Sequence, residues 1–347
     1  MENHTALTVW PTYLAGFRCE RPDCPLGRTT ADAPCPALRD IRIHAVCERS
    51  LRLDCPRAAH YVLAAPESFH FESQRLPAAA LSPANRQLAS LAEPRPEHAF
   101  LLDLQRTALR LLKAQAYPLD ARLVLLGIYL EDAVAYIEDG RGYKLGELVK
   151  SYASPLFAAR FHEALKNIAF EPLAHLDFLI GILKKLTDAQ DLALDAADLA
   201  LVRRAYRLDG PPDLDRVRRT YALNRRTYAL NRRAFERAAL TLPHFPERLL
   251  LHQFYTELYP CAVPGGIIHN YWLFVLSCKL AELLLTAHAA LERQQLTTAH
   301  LAEAIAKTAR LPQTRSGLSV LERTLDGRED DSLRLFRLLY HIPQMKN

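Results

Sequence analysis

From about residue 99 onward, apolar positions recur at three- and four-residue intervals, the period of a helix with one buried face. In "AFLLDLQRTALRLLKAQ" this spacing puts Leu101, Leu104, Ala108, Leu111 and Leu112 on one stripe. "YPLDARLVLLGIYLEDAVAYIEDG" predicts a second helix, capped by Asp120 and ended near Gly140. "FAARFHEALKNIAF", "LAHLDFLIGILKKLTD", "PERLLLHQFYTELYP", "TTAHLAEAIAKTARL" and "LSVLERTLDGREDDSLRLFRLLYHI" continue the pattern, and a basic helix follows Pro212. About eight to ten helices are expected in all.

The N-terminal part reads differently. Over residues 1–66 proline and cysteine interrupt every short run, and only "IRIHAV" and "SLRLDC" alternate enough to predict short strands. Residues 67–98, with "LPAAALSP" and "AEPRPEH", read as a proline-broken connector, and 99–347 as the helical body. The expected class is mainly α: an irregular cysteine-rich segment with short strands packed on a multi-helix body.

One run changes the picture only briefly. "YWLFVLSCKLAELLL" (271–285) is the longest apolar stretch, but it is short for a bilayer and holds Lys279 and Glu282, so a buried helix is expected. "MENHTALTVW" has neither the basic nor the apolar region of a secretory signal. The expectation is a cytoplasmic protein with no membrane partner, a setting where clustered cysteines hold metal more often than they pair.

Charge and motifs narrow the chemistry without naming it. The formal net charge of +5 is too slight to imply nucleic acid. The 12 glycines include no G-x-G-x-x-G, P-loop or nucleophile elbow, and no H-E-x-x-H helix occurs. His252, His269, His288 and His300 sit in helical text and read as interior or surface histidines. The unit "RRTYALN" at 218–224 recurs unchanged at 225–231. It reads as a slipped duplication on an exposed helix, since charge runs are usually solvated faces. The sharper alternative is a basic and aromatic strip for an anionic partner.

The cysteines are the informative part. Of the seven in the chain, five (Cys19, Cys24, Cys35, Cys47 and Cys55) fall before residue 56. Thiolates are soft donors suited to iron–sulfur clusters and zinc, and four of them close a site. The chain has no C-x-x-C, which argues against an ordinary zinc finger. His44 and His60 could add ligands, though each reads better as structural.

Five segments, in order, resemble the flagellin lysine-N-methylase family. "YLAGFRCERPDC" is similar to its leading aromatic run and C-x-x-x-x-C, and "ERSLRLDCPRAAHYVL" to its S-L-x-L-x-C-P segment. "RLLKAQAYPLDARLVLLG" resembles one helix pair, and "RLLLHQFYTELYPC" with "NYWLFVLSCKLAELLL" the C-terminal pair. The resemblance implies a cytoplasmic enzyme that transfers methyl groups from S-adenosylmethionine to flagellin lysines and holds an iron–sulfur cluster, of the 4Fe-4S kind. Carried over by position, Cys19, Cys24, Cys35 and Cys55 are the implied ligands, with Cys47 in reserve. The chain departs from the family in lacking the adjacent C-C and tryptophan, replaced here by "PLGRTTADAP". That keeps a second reading open: a non-catalytic helical binding protein of the same descent, with zinc or no metal.

The chemistry asks for a site that takes the proton from a lysine and an aromatic face for its methylated form. Tyr117, Tyr129, Tyr255 and Tyr259 lie in the matched segments, as do Asp120 and Arg122, which could pair or reach a cofactor carboxylate. For each, helix packing or a structural role is the better reading, so catalytic and donor-binding residues stay unassigned. The pattern names a family, not a pocket.

Overall fold

The computed structural model describes residues 5–12, 14, 17, 37–43, 46–53, 55–64, 71–77, 86–87, 96–114, 116–152, 154–166, 168, 170–189, 194–208, 214–240, 247, 250–252, 254, 266–291, 296–309, 311–325, 335 and 339–340. The molecule is mainly α. Among the described residues, α1 (Pro56–Ala64) precedes α2 (Leu101–Leu112), α3 (Leu119–Glu138), α4 (Leu145–Tyr152), α5 (Pro155–Lys166) and α6 (Pro172–Thr187). Then come α7 (Ala196–Ala205), α8 (Leu214–Leu240), α9 (Ile267–Leu291), α10 (Thr298–Ala309) and α11 (Arg315–Leu325). The five stripe positions of α2 are all buried, as the spacing predicts.

The body is built around α9. Its apolar residues run all round the cylinder, the pattern of a helix enclosed by others, and it packs against α3, α6, α7, α8, α10 and α11. The run is longer than the sequence suggests: at 25 residues it has the length and hydropathy to cross a membrane, yet 83% of its most apolar window is buried inside the protein. Lys279 and Glu282 do not break it, because both find partners within the bundle.

One glycine allows the closest approach. A Cβ on Gly127 of α3 would lie 2.6 Å from the Tyr271 hydroxyl on α9. That hydroxyl donates to the Leu123 carbonyl at 2.8 Å and meets the Tyr340 hydroxyl at 2.7 Å, so the ring cannot swing aside without losing buried bonds.

The N-terminal part folds as a five-stranded sheet of order β4-β1-β3-β2-β5. Its strands are β1 (Thr5–Pro11), β2 (Leu38–Ile43), β3 (Val46–Leu51), β4 (Phe71–Pro77) and β5 (Arg86–Gln87). β1 runs parallel to β3 and antiparallel to β4, and β2 pairs antiparallel with β3. Residues 41–43 of "IRIHAV" thus lie in β2 and Val46 opens β3, whereas of the described residues of "SLRLDC" Ser50 and Leu51 are in β3. β4 and β5 lie in the stretch read from sequence as a connector. β4 is an edge strand whose residues 72–75 are all exposed, so it carries no buried alternation to betray it, and Pro77 is tolerated at such an edge.

Among the described residues, two hydrogen bonds help to join the N-terminal part to the body. His252, fully buried, donates from Nε2 to the Leu51 carbonyl at the end of β3, at 3.1 Å. α1 lies on α10, where the His60 ring meets the Thr298 hydroxyl at 2.9 Å. Burial holds the His252 pKa down to about 4. The unfolded chain binds a proton there near pH 6.5 while the folded one does not. His252 therefore contributes stability fully above pH 6.5 and loses it as pH falls toward 4.

Two outcomes follow. Gly127→Ala should lower the urea unfolding free energy by about 1–3 kcal/mol through overpacking against Tyr271, and an unchanged midpoint would contradict the close contact. The stability of the wild type should fall by up to about 3 kcal/mol between pH 6.5 and pH 4 from this one group. His252→Gln, which keeps a donor for Leu51, should flatten that part of the profile.

Candidate functional site

Three of the four implied cluster ligands, Cys19, Cys24 and Cys35, lie outside the described residues. Cys55 is described: it is buried and immediately precedes Pro56, the first residue of α1, with its carbonyl accepting from Ala59 N–H at 2.9 Å. Proline suits a first helical position because that N–H would have no helical partner, which explains the "CP" pair locally. Phe17, two residues before Cys19 in the sequence, sets its ring edge-on to Tyr61 of α1 at 5.2 Å. Leu14, Phe17 and Cys55 share the same core. Cys47 is buried on β3 beside Thr8 of β1. Cys278 is buried in α9, and burial pushes its thiol well up, leaving it a small apolar filler. No group of three or more metal-ligating side chains occurs among the described residues. His60 is turned to Thr298.

The most concentrated chemistry lies where α3, α8 and α9 meet. The Lys279 ammonium, on α9, reaches Asp120 Oδ1 of α3 at 2.7 Å and Glu282 Oε2 at 2.9 Å. Glu282 also takes a bond from Arg232 of α8, which pairs with Glu236 at 3.1 Å. The Tyr340 ring lies 5.7 Å from the same ammonium. The side chains of Lys279 and Asp120 are 3% and 7% exposed, so neither charge is solvated by water. Burial lowers the Lys279 pKa, and Asp120 acts against that by favouring the charged form. Burial likewise raises the Tyr271 and Tyr340 hydroxyls, which stay protonated and available as donors.

This arrangement corrects one expectation and selects among the readings open for Arg122. Asp120 does not cap α3; Pro118 holds the cap position, and the aspartate, two residues on in the first turn, is buried against Lys279. Asp120 and Arg122 do not pair with one another either. Arg122 instead donates to the Leu112 and Tyr117 carbonyls at 3.0 and 2.7 Å and to Glu247 at 2.7 Å, clamping the turn between α2 and α3. Consecutive helix positions two apart face different sides, which is why the two charges find different partners.

The repeat is also more than a solvated face. Its second copy packs: Tyr228 is buried against Tyr206, Phe170 and His175, and Asn231 donates to the Ala205 carbonyl at 2.9 Å. Leu230 points out, half exposed. The tyrosine and leucine of one unit do face opposite ways, but the buried side is the polar-aromatic one. Burial raises the Tyr228 hydroxyl well above its usual range.

Of the aromatic residues singled out from sequence, Tyr117 and Tyr129 join one ladder. Tyr117 meets Phe161 edge-on at 5.3 Å, Phe161 stacks on Phe157, and Phe157 touches Tyr152 at 4.3 Å. Tyr152 then meets Tyr129 and donates to Asp132 at 2.5 Å. Burial raises the Tyr129 hydroxyl to about 12. Tyr255 and Tyr259 lie outside the described residues. A separate small cleft of about 100 Å³, open to solvent, lies between β1, β4 and α2, lined by Val9, Glu72, Ser73, Leu102, Gln105, Arg106 and Leu109.

The helices carrying the ionic network coincide with a known family. The family model of the FliB lysine N-methylase C-terminal domain matches residues 105–333, well over half of the 347. The chain belongs to the FliB lysine N-methylase family. Neither the curated proteins nor the solved structures give a match. The FliB match opens on α2 and passes the end of α11, so it contains Asp120, Arg232, Lys279 and Glu282 but none of the N-terminal cysteines. Sequence reading missed Lys279 as a functional candidate, although its place within an otherwise apolar run was the available signal.

Removing one member of the buried pair strands the other charge in the core. Lys279→Met should therefore destabilise the fold by about 3–5 kcal/mol, whereas Lys279→Met combined with Asp120→Leu should cost clearly less than the sum of the two single changes. A double-mutant cycle by urea unfolding reads this directly, and simple additivity would show that the pair does not couple.

Proposed function

We propose that this protein is a protein-lysine N-methyltransferase that uses S-adenosylmethionine as methyl donor and flagellin as acceptor. The observation that carries the reading is the FliB lysine N-methylase C-terminal domain match over residues 105–333. The reaction joins the uncharged Nε of an acceptor lysine to a methyl carbon as the carbon–sulfur bond breaks, and the bonding pair stays on sulfur. The amine must first lose a proton, so the chain has to desolvate it or supply a base. The interior of this protein already imposes that physics on one lysine of its own, since burial lowers Lys279.

We assign a cysteine-held iron–sulfur cluster to Cys19, Cys24, Cys35 and Cys55 within the same proposal. The donor chemistry fits: four thiolates close such a site. Cys55 is set in the core at the start of α1, the helix on which Phe17 packs just ahead of Cys19. When bound, the cluster would supply a rigid cross-link between the leading segment and α1. Cys55 would be its ligand on the helix side, and the packing of Phe17 on Tyr61 would guide the leading segment to it.

The test is anaerobic purification, metal analysis and incubation with flagellin and S-adenosylmethionine. The expected result is a donor-dependent mass gain of about 14 Da per methyl on flagellin lysines, with roughly four irons and four sulfides per chain. The iron should be lost in Cys55→Ser and kept in Cys47→Ser. Iron-loaded protein that neither binds donor nor modifies flagellin would favour the non-catalytic binding protein instead.

A further inference from the structure

We propose that the outward face of α8 docks an acidic amphipathic helix of the acceptor protein, with Leu230 as the apolar contact and Arg226, Arg233 and Arg237 as its charged flanks. This rests on the methyltransferase reading above and goes beyond it by naming the surface that holds the protein substrate.

α8 concentrates the charge of the whole chain. Its 27 residues hold eight arginines against one aspartate and one glutamate, an excess of six where the entire sequence carries a net +5. The second repeat copy turns Tyr228 and Asn231 inward, so the outward side is basic and aliphatic, not basic and aromatic. Arg226, Leu230, Arg233 and Arg237 follow at intervals of four, three and four, which sets them along one side of the helix. All four are exposed, Leu230 by 50%. None of the three arginines makes an ion pair with another described residue, and Glu236, the acid beside them, is taken by Arg232 at 3.1 Å. Arg237 Nε donates to the Arg233 carbonyl at 3.3 Å. By position, the first copy continues the same line through Leu223 and Arg219, so leucine recurs after seven residues.

Charge and period select the partner. A second copy of this chain cannot use the same face, since arginine would oppose arginine. A nucleic acid would satisfy the guanidinium groups through its phosphates but give Leu230 nothing to pack on. Helices that lie in a membrane surface bury a broad apolar face, whereas the apolar residues among the described outward ones of α8 are Ala229 and Leu230. A helix with carboxylates at three- and four-residue spacing around an apolar residue meets every group. Seven residues between leucines is the period of a helix–helix seam, and the charges flanking such a seam set partner choice and orientation. An enzyme that modifies a lysine on a protein has a use for this contact, because binding far from the reacting atoms positions the acceptor.

The test is fluorescence-anisotropy titration of labelled flagellin with the purified full chain, run beside steady-state methylation of flagellin and of a short peptide around the first lysine found modified. Arg226→Glu combined with Arg233→Glu should weaken flagellin binding and raise its KM by roughly tenfold or more, because like charges then face the acidic helix. Leu230→Ser should raise that KM about threefold, as for one half-exposed apolar contact. The kcat, and kcat/KM for the short peptide, should stay within about twofold, and added salt should weaken flagellin binding more for the wild type than for the double variant. All three positions are exposed, so the variants are expected to melt as the wild type does. Unchanged flagellin affinity in the double variant, or an equal loss for the short peptide, overturns the docking face while leaving the enzyme reading in place. Binding of a dT oligonucleotide or of phosphatidylglycerol vesicles that needs the same arginines and is tighter than flagellin binding also overturns it. Flagellin bound through this face but never methylated keeps the docking face and overturns the enzyme reading, and flagellin neither bound nor methylated overturns both.

Discussion

A lysine ammonium at the centre of an apolar helix is the constraint around which the body is arranged. α9 is surrounded by six helices, so Lys279 has no route to water and must be neutralised by a neighbour. Asp120 does this from α3, and Glu282 relays the charge balance outward to Arg232 on α8. Three helices are thereby tied to one register. A hydrophobic interface alone would let them slide by small amounts, because apolar contact is non-directional. The ion pair makes the arrangement specific, at a cost in desolvation that an apolar core would not incur.

The Tyr271–Tyr340 pair extends the same logic to residues beyond the last described helix. Its hydroxyls satisfy each other and the Leu123 carbonyl, and Gly127 leaves room for the ring. In the N-terminal part, the buried His252–Leu51 hydrogen bond and the packing of α1 on α10 help to fasten the strands to the body. Smaller links serve the same end: Asp195 caps α7 in a capping box, and Asp198 of that helix binds Lys307 of α10 at 2.8 Å. The apolar core sets which helices meet, and polar contacts of this kind set where along their length they do.

Much of this was legible in the chain. The stripe on α2, the burial of α9 and the stop at Gly140, where φ is 71°, all follow from local periodicity and backbone preference. What escaped was the pairing of residues far apart. Nothing near Asp120 in the sequence points to Lys279, 159 positions away, and an aspartate in a first helical turn has an equally good local role as a cap. β4 escaped for a different reason: an edge strand exposed on both faces shows no alternation of burial to read. The cleft could not be seen at all, because its lining comes from three separate elements that only the fold brings together. The family resemblance, by contrast, was carried by ordered segments, of which the helical ones fall within the match over residues 105–333 and the cysteine segments lie before it.

The duplicated unit in α8 has a geometric consequence. Seven residues of helix advance about 10.5 Å and fall about 20° short of two full turns. The second copy supplies the residues that engage the core, Tyr228 and Asn231, and Arg232 follows directly after it. A copy added ahead of it therefore lengthens the rod by two turns and leaves the docking residues in phase with their partners. An insertion between Tyr228 and Arg232, by contrast, would turn those residues out of phase and separate them from Tyr206, Ala205 and Glu282.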